Sequence, residues 1–231
     1  MSKSFADRKS FKVLYEDEHY IAFFKPAGLL AVPADEGKEA AMEELVNIDF
    51  AARPDTPKGA EALKLHPCHR LDRDTSGAIL FAKGHRAQEL MMELFRQKLV
   101  KKKYIAFVHG RLPHPKGEIK SALKEDRDSS DPDKVSVTRY QVKQQRHNFA
   151  VVEVFPLTGR TNQIRIHFKE IGHPLVGENK FIFRKDYSLK FKRTALHAWE
   201  LYFKQPITGK DVSITAPLSL DMQNFLERNR T

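Results

Sequence analysis

The stretch HPCHRLDRDTSGAILFAK, residues 66–83, joins a crowded polar segment to an apolar run. Thr75, Ser76 and Gly77 are turn residues, and Ala78-Ile-Leu-Phe-Ala82 behind them reads as a buried β-strand. An aspartate held in a turn at the head of such a strand is fixed in position while its carboxylate faces a cleft. Two aspartates compete for that place. Asp74 directly precedes the turn residues, where side-chain hydrogen bonds to the backbone are its natural use. Asp72 has no such local use, so it is either an ion-pair partner of Arg70 or Arg73 in a solvated turn or a reactive carboxylate. His66, Cys68 and His69 also crowd together, which raises metal binding. Their spacing is too tight for a structural zinc site, and no second cysteine pair completes one, so no metal is expected.

Working outward, short β-type runs dominate the chain: KVLY, YIAFF, YIAFVHG, VSVTRYQV, FAVVEVF, LHAWELYF and VSITA. Helical spacing appears in only a few places, among them HRAQELMMELFRQK, more weakly EAAMEELVNIDFAA, and the C-terminal LDMQNFLER. The expected class is therefore mixed α/β (α+β), a mostly antiparallel, mixed sheet flanked by a few helices. The order does not suit a regular alternating parallel fold. The polar segment 124–134 reads as a surface loop between similar strands, so a single domain over residues 1–231 is expected, with its core at about 11–218.

The chain has 40 lysines and arginines against 30 aspartates and glutamates, a formal net charge of +10, which makes nucleic acid the first candidate partner. A single cysteine excludes an internal disulfide framework and fits a reducing compartment. No run approaches the ~20 apolar residues of a membrane span, and no glycine-rich phosphate fingerprint is present. A cytoplasmic monomer without a nucleotide cofactor, or any other cofactor, and without a membrane partner is the expectation.

Two further stretches carry candidate chemistry. In PLTGRTNQIRIHFKEIGHPLVG, residues 156–177, Thr158 and Gly159 suit a turn, and NQIRIHFKEIG suits a short helix ending at Gly172, capped by Thr161 or Asn162. A helix N-terminus beside Arg160 offers N–H groups and positive charge to a phosphate or a nearby carboxylate. In RQKLVKKKYIAFVHGRL three lysines precede Tyr104, the pairing of basic and aromatic side chains that a splayed, stacked base needs.

Together and in this order, these stretches resemble the RluA-type pseudouridine synthases, which isomerise uridine in ribosomal or transfer RNA. HRLDRDTSG matches that family's His-Arg-Leu-Asp signature with its following Thr-Ser-Gly. TGRTNQIRIH resembles the second signature, FKPAGLLAVP the N-terminal strand and loop, and LHAWELYF the C-terminal strand. The resemblance implies Asp72 as the catalytic aspartate, Tyr104 as the tyrosine that stacks on the target base, and Arg165 as the basic partner of the aspartate. It implies Leu196 as an apolar contact and Arg70 as an arginine that displaces the base. Thr75, Arg160, Asn162, Gln163 and Lys103, inside or beside these motifs, are candidate RNA contacts.

The chain also departs from the family pattern. Asn162 stands where the family usually has histidine, and GENKF, residues 177–181, where it often has Gly-Asp and a tyrosine. Only about ten residues precede FKVLYEDEHYIAFFKPAG, so no separate accessory RNA-binding domain is expected. The rival readings are an RNA-binding or assembly protein on this fold that has lost its activity, and a metal-dependent nuclease. The first need not keep Asp72, Arg165 and Tyr104 together, and the second lacks an obvious carboxylate cluster.

Overall fold

The computed structural model describes residues 11–34, 39–54, 63–122, 135–181 and 189–230; the expected surface loop at 124–134 lies outside them. In chain order the elements are β1 (Val13–Glu16), β2 (Tyr20–Lys25), α1 (Met42–Ala51), β3 (Leu65–Pro67), β4 (Ser76–Lys83), α2 (His85–Arg96) and β5 (Lys101–His109). There follow β6 (Lys116–Ala122), β7 (Val135–Gln145), β8 (Phe149–Pro156), α3 (Gln163–Glu170), β9 (Leu196–Lys204), β10 (Asp211–Thr215) and α4 (Leu220–Arg228). The class is the expected one, mixed α/β with mostly antiparallel strands and few helices. The chain divides into two compact units, Met1–Val100 with Glu200–Pro217, and Lys101–Trp199 with Leu218–Thr231.

In the first unit β4 pairs antiparallel with β2, β2 with β1, and the short β3 with the far end of β4. All but the last residue of β4 are buried, which explains a run apolar on both faces instead of alternating. Asp17 closes the β1–β2 turn: its carboxylate accepts the His19 and Tyr20 N–H groups at 2.8 and 2.6 Å. Helix α2 packs on β4 through Ala87 and Met91, the face its spacing predicts, and the Tyr20 hydroxyl donates to Ala87 O at 2.8 Å.

In the second unit the antiparallel order is β5-β8-β7-β6, with α3 packed on β6, β7 and β8. One apolar cluster joins Ala106, Val108, Val152 and Val154 of the sheet to Ile164 and Phe168 of α3. Another seats Met222 and Phe225 of α4 on Phe107 and Phe149. Arg193 ties α4 down, pairing its Nε with Asp221 at 2.7 Å while its Nη1 donates to Leu196 O at 3.1 Å. Helix α3 ends as its sequence predicts. Gly172 sits at φ +79° and donates to Lys169 O, and His173 N–H donates to Phe168 O, which together close a Schellman motif.

Candidate active site

In the first unit the Asp72 loop is anchored at both ends. On its N-terminal side Cys68 N–H donates to Leu80 O at 3.0 Å, and Leu80 N–H donates to His69 Nε2 at 3.1 Å, so His69 is clipped to β4. On its C-terminal side Arg73 O accepts from Gly28 N–H at 2.8 Å and from Lys25 Nζ at 2.9 Å. The Lys25 side chain is fully buried, and its ammonium also donates to Leu29 O and Pro26 O at 2.6 and 3.0 Å. Three carbonyls thus meet the needs of a charge removed from water, and the FKPAGLL loop and the aspartate loop become one body. Between the anchors, Thr75 N–H closes the turn onto Asp72 O at 3.0 Å. Leu71 and Thr75 are buried, Arg70 is exposed, and Asp72 is half-buried. Arg73 pairs with Glu39 at 2.6 Å.

The crowding of His66, Cys68 and His69 has a packing explanation. His66 stacks on His85 with ring centroids 3.9 Å apart, His69 lies 5.0 Å from the Phe95 ring, and burial pushes the Cys68 thiol well above its ordinary range. Among the described residues no three His, Cys, Asp or Glu side chains converge on a possible metal position.

In the second unit Arg165 projects from α3 into a cradle. Its Nε and Nη2 donate to Glu178 Oε2 and Oε1 at 2.7 and 2.8 Å, and its Nη1 donates to Asn162 Oδ1 at 2.7 Å. The Phe181 ring lies 5.0 Å from the guanidinium carbon. Glu178 is buried, which by itself would raise its pKa. The hydrogen bonds and charge of Arg165, with the Lys180 and Phe181 N–H groups, outweigh burial and hold the carboxyl below its usual range. Of the two expected caps, Thr161 and Asn162, Asn162 occupies the N-cap position, but it has left-handed backbone angles (φ 54°, ψ 15°), and its side chain serves Arg165 instead of the helix end.

Gln163 is wholly engaged. Its Oε1 accepts from Thr158 Oγ1 and Arg160 N–H, and its Nε2 donates to Val137 O and Thr138 Oγ1, all within 3.1 Å. It therefore braces the turn that carries Arg160 against β7. Tyr104, on β5 opposite Val154, is half-buried against the cluster that contains Ile164, Phe168 and Leu196. That cluster brings Tyr104, Leu196 and the helix bearing Arg165 into one region of the second unit. Lys103 is half-buried on β5. Its neighbour Lys102, another of the three lysines before Tyr104, donates from Nζ to Thr158 O at 3.0 Å, and burial pulls its pKa down to about 8. Glu178, Lys25 and His69 make contacts that leave no trace in the sequence pattern. Their identities sit inside the motifs, but their partners lie elsewhere in the chain.

Residues 19–170 match the RNA pseudouridylate synthase family. The chain is 37% identical to the dual-specificity RNA pseudouridine synthase RluA of Vibrio cholerae, over 84% of this chain and 77% of that one. It is 35% identical to the RNA pseudouridine synthase YlyB of Bacillus subtilis, over 97% of this chain and 75% of that one. The fold is similar to that of human RNA Pseudouridylate Synthase Domain Containing 4, with a TM-score of 0.78, 23% identity, and coverage of 95% and 93% of the two chains.

Proposed function

The chain belongs to the RNA pseudouridylate synthase family, and from that premise we propose that it isomerises specific uridines of rRNA or tRNA to pseudouridine with Asp72 as the catalytic carboxylate. The reaction breaks the N1–C1′ bond, turns the uracil, and joins C5 to C1′; a proton leaves C5 and N1 takes one up. Nothing is oxidised, hydrolysed or added, so no cofactor is assigned. Asp72 acts in its ionised form, either attacking the nucleotide or abstracting a proton from the sugar. Arg165 stabilises that charge, and Tyr104 stacks on the detached uracil while Leu196 backs it. A uridine in a duplex must first be extruded, at roughly a few kcal/mol. Arg70 takes the space it leaves, while Arg160 and Lys103 hold the phosphates. Thr75, Asn162 and Gln163 serve the substrate through the loops and the guanidinium they hold. The enzyme works in the cytoplasm, where its RNA is. Among the described residues no helix is long and apolar enough to cross a membrane.

The observation that supports this reading most is the setting of Asp72: a half-buried carboxylate on a loop anchored by His69 on one side and by the buried Lys25 on the other. A solvated charged turn needs no such bracing. The test uses RNA carrying tritium at uridine C5, isolated from cells that lack the protein, and counts tritium released to water. Asp72→Asn abolishes release while RNA binding persists; full release in that variant overturns the assignment. Sequencing that maps pseudouridine with and without the protein then names the site.

A further inference from the structure

We propose that Glu178 is a positioning residue for the reaction: it fixes and neutralises the Arg165 guanidinium, with Asn162 as its second support. The inference rests on the function proposed above. The Glu178 side chain is fully buried and that of Arg165 is 12% exposed, so the pair is removed from solvent and screened little by salt. The contact is bidentate, which sets the plane of the guanidinium as well as its place. Asn162 takes a third N–H, and Phe181 covers a face of the group. Three of the five guanidinium N–H donors are thereby directed by this cradle.

The carboxylate that does the directing is itself held rigidly. Gly177 before it has φ +78°, and a Cβ there would lie 1.9 Å from Arg193 O, so only glycine lets the chain pass this point. Val176 N–H donates to Phe107 O at 2.8 Å, Ala195 N–H to Val176 O at 2.9 Å, and Glu178 N–H to Leu175 O at 3.1 Å. A surface ion pair has no need of such a mount.

The consequence is chemical. A lone arginine acting on a catalytic carboxylate would hold it as a tight ion pair and blunt its reactivity. An arginine already neutralised by Glu178 offers oriented N–H donors with less net charge, and its direction no longer depends on the substrate.

The experiment measures single-turnover tritium release and RNA dissociation constants on the same C5-tritiated RNA. Glu178→Gln keeps the shape and an acceptor for the Lys180 and Phe181 N–H groups but loses the charge; its rate constant falls about a hundredfold while RNA affinity changes by less than about threefold. Glu178→Asp, which keeps the charge, recovers part of the rate. In an Arg165→Met background, followed over long incubations, Glu178→Gln costs nothing further, because its effect passes through the guanidinium. Asn162→Gly preserves the left-handed backbone and removes only the side-chain acceptor. It lowers the rate about tenfold and decides the matter if Glu178→Gln does not fold. Wild-type rates in Glu178→Gln, or a full additional loss in the Arg165→Met background, overturn the inference; if Asp72→Asn is then inactive, the proposed function still stands.

Discussion

At the scale of single residues, the site depends on charges that are buried and answered by specific partners. Lys25 shows how strictly. Its ammonium has three backbone carbonyls as partners, and Lys25→Met leaves all three facing an apolar side chain. That loss costs about 2–4 kcal/mol. It loosens the Arg73 end of the aspartate loop, so a lower urea midpoint should come with slower tritium release and little change in RNA affinity. An unchanged midpoint would mean that the contacts are incidental. The sequence made Asp72, Tyr104 and Arg165 candidates because each stands inside a dense local motif. It did not reveal that Arg165 faces Glu178 or that Lys25 grips Arg73, since neither pairing leaves a periodic or compositional trace.

At the scale of elements, long periodic segments were legible and short edge segments were not. The apolar run of β4, the helical spacing of α2 and the C-terminal helix α4 all lie where their patterns put them. The strands β3 and β6 do not announce themselves. β3 has three residues and ends in proline, while β6, KGEIKSA, buries only Ile119 and is a strand because β7 pairs with it. Within β6, Gly117 lies opposite Tyr140, and a Cβ there would come 2.5 Å from the ring. Tyr140 cannot easily retreat, because it packs 5.7 Å from Phe168. Gly117→Ala should therefore destabilise the protein by about 1–3 kcal/mol through overpacking, read as a lower denaturation midpoint. Stabilisation, the usual effect of replacing a strand glycine, would show that the ring moves aside freely.

At the scale of the whole molecule, acid should be the solvent condition that unfolds it. For Glu178 and Asp221 burial raises the pKa, but the hydrogen bonds and charges of Arg165 and Arg193 outweigh it, so both stay ionised below the ordinary values of 4.5 and 3.8. The unfolded chain then binds more protons in that range, so the stability these groups supply is complete above their ordinary values and is lost as pH falls through the folded ones. Burial also lowers the pKa values of His66, His109 and His167 from their ordinary 6.5, His109 to about 4, so unfolding lets them take up protons below that ordinary value. Urea midpoints should therefore begin to fall below about pH 6.5 and drop further below about pH 4; Glu178→Gln should flatten part of the lower fall. What the sequence determined by itself was the strand-rich α/β class, the main elements, the family signatures and the candidate aspartate, because these reside in spacing and turn chemistry over a few neighbouring residues. What only the tertiary structure decided was which partner answers each buried polar group: Glu178 for Arg165, 13 residues on, Thr138 for Gln163 across 25, and Arg73 for Lys25 across 48. Desolvation forces each such group to find a partner, and only the packed chain decides which one lies within reach.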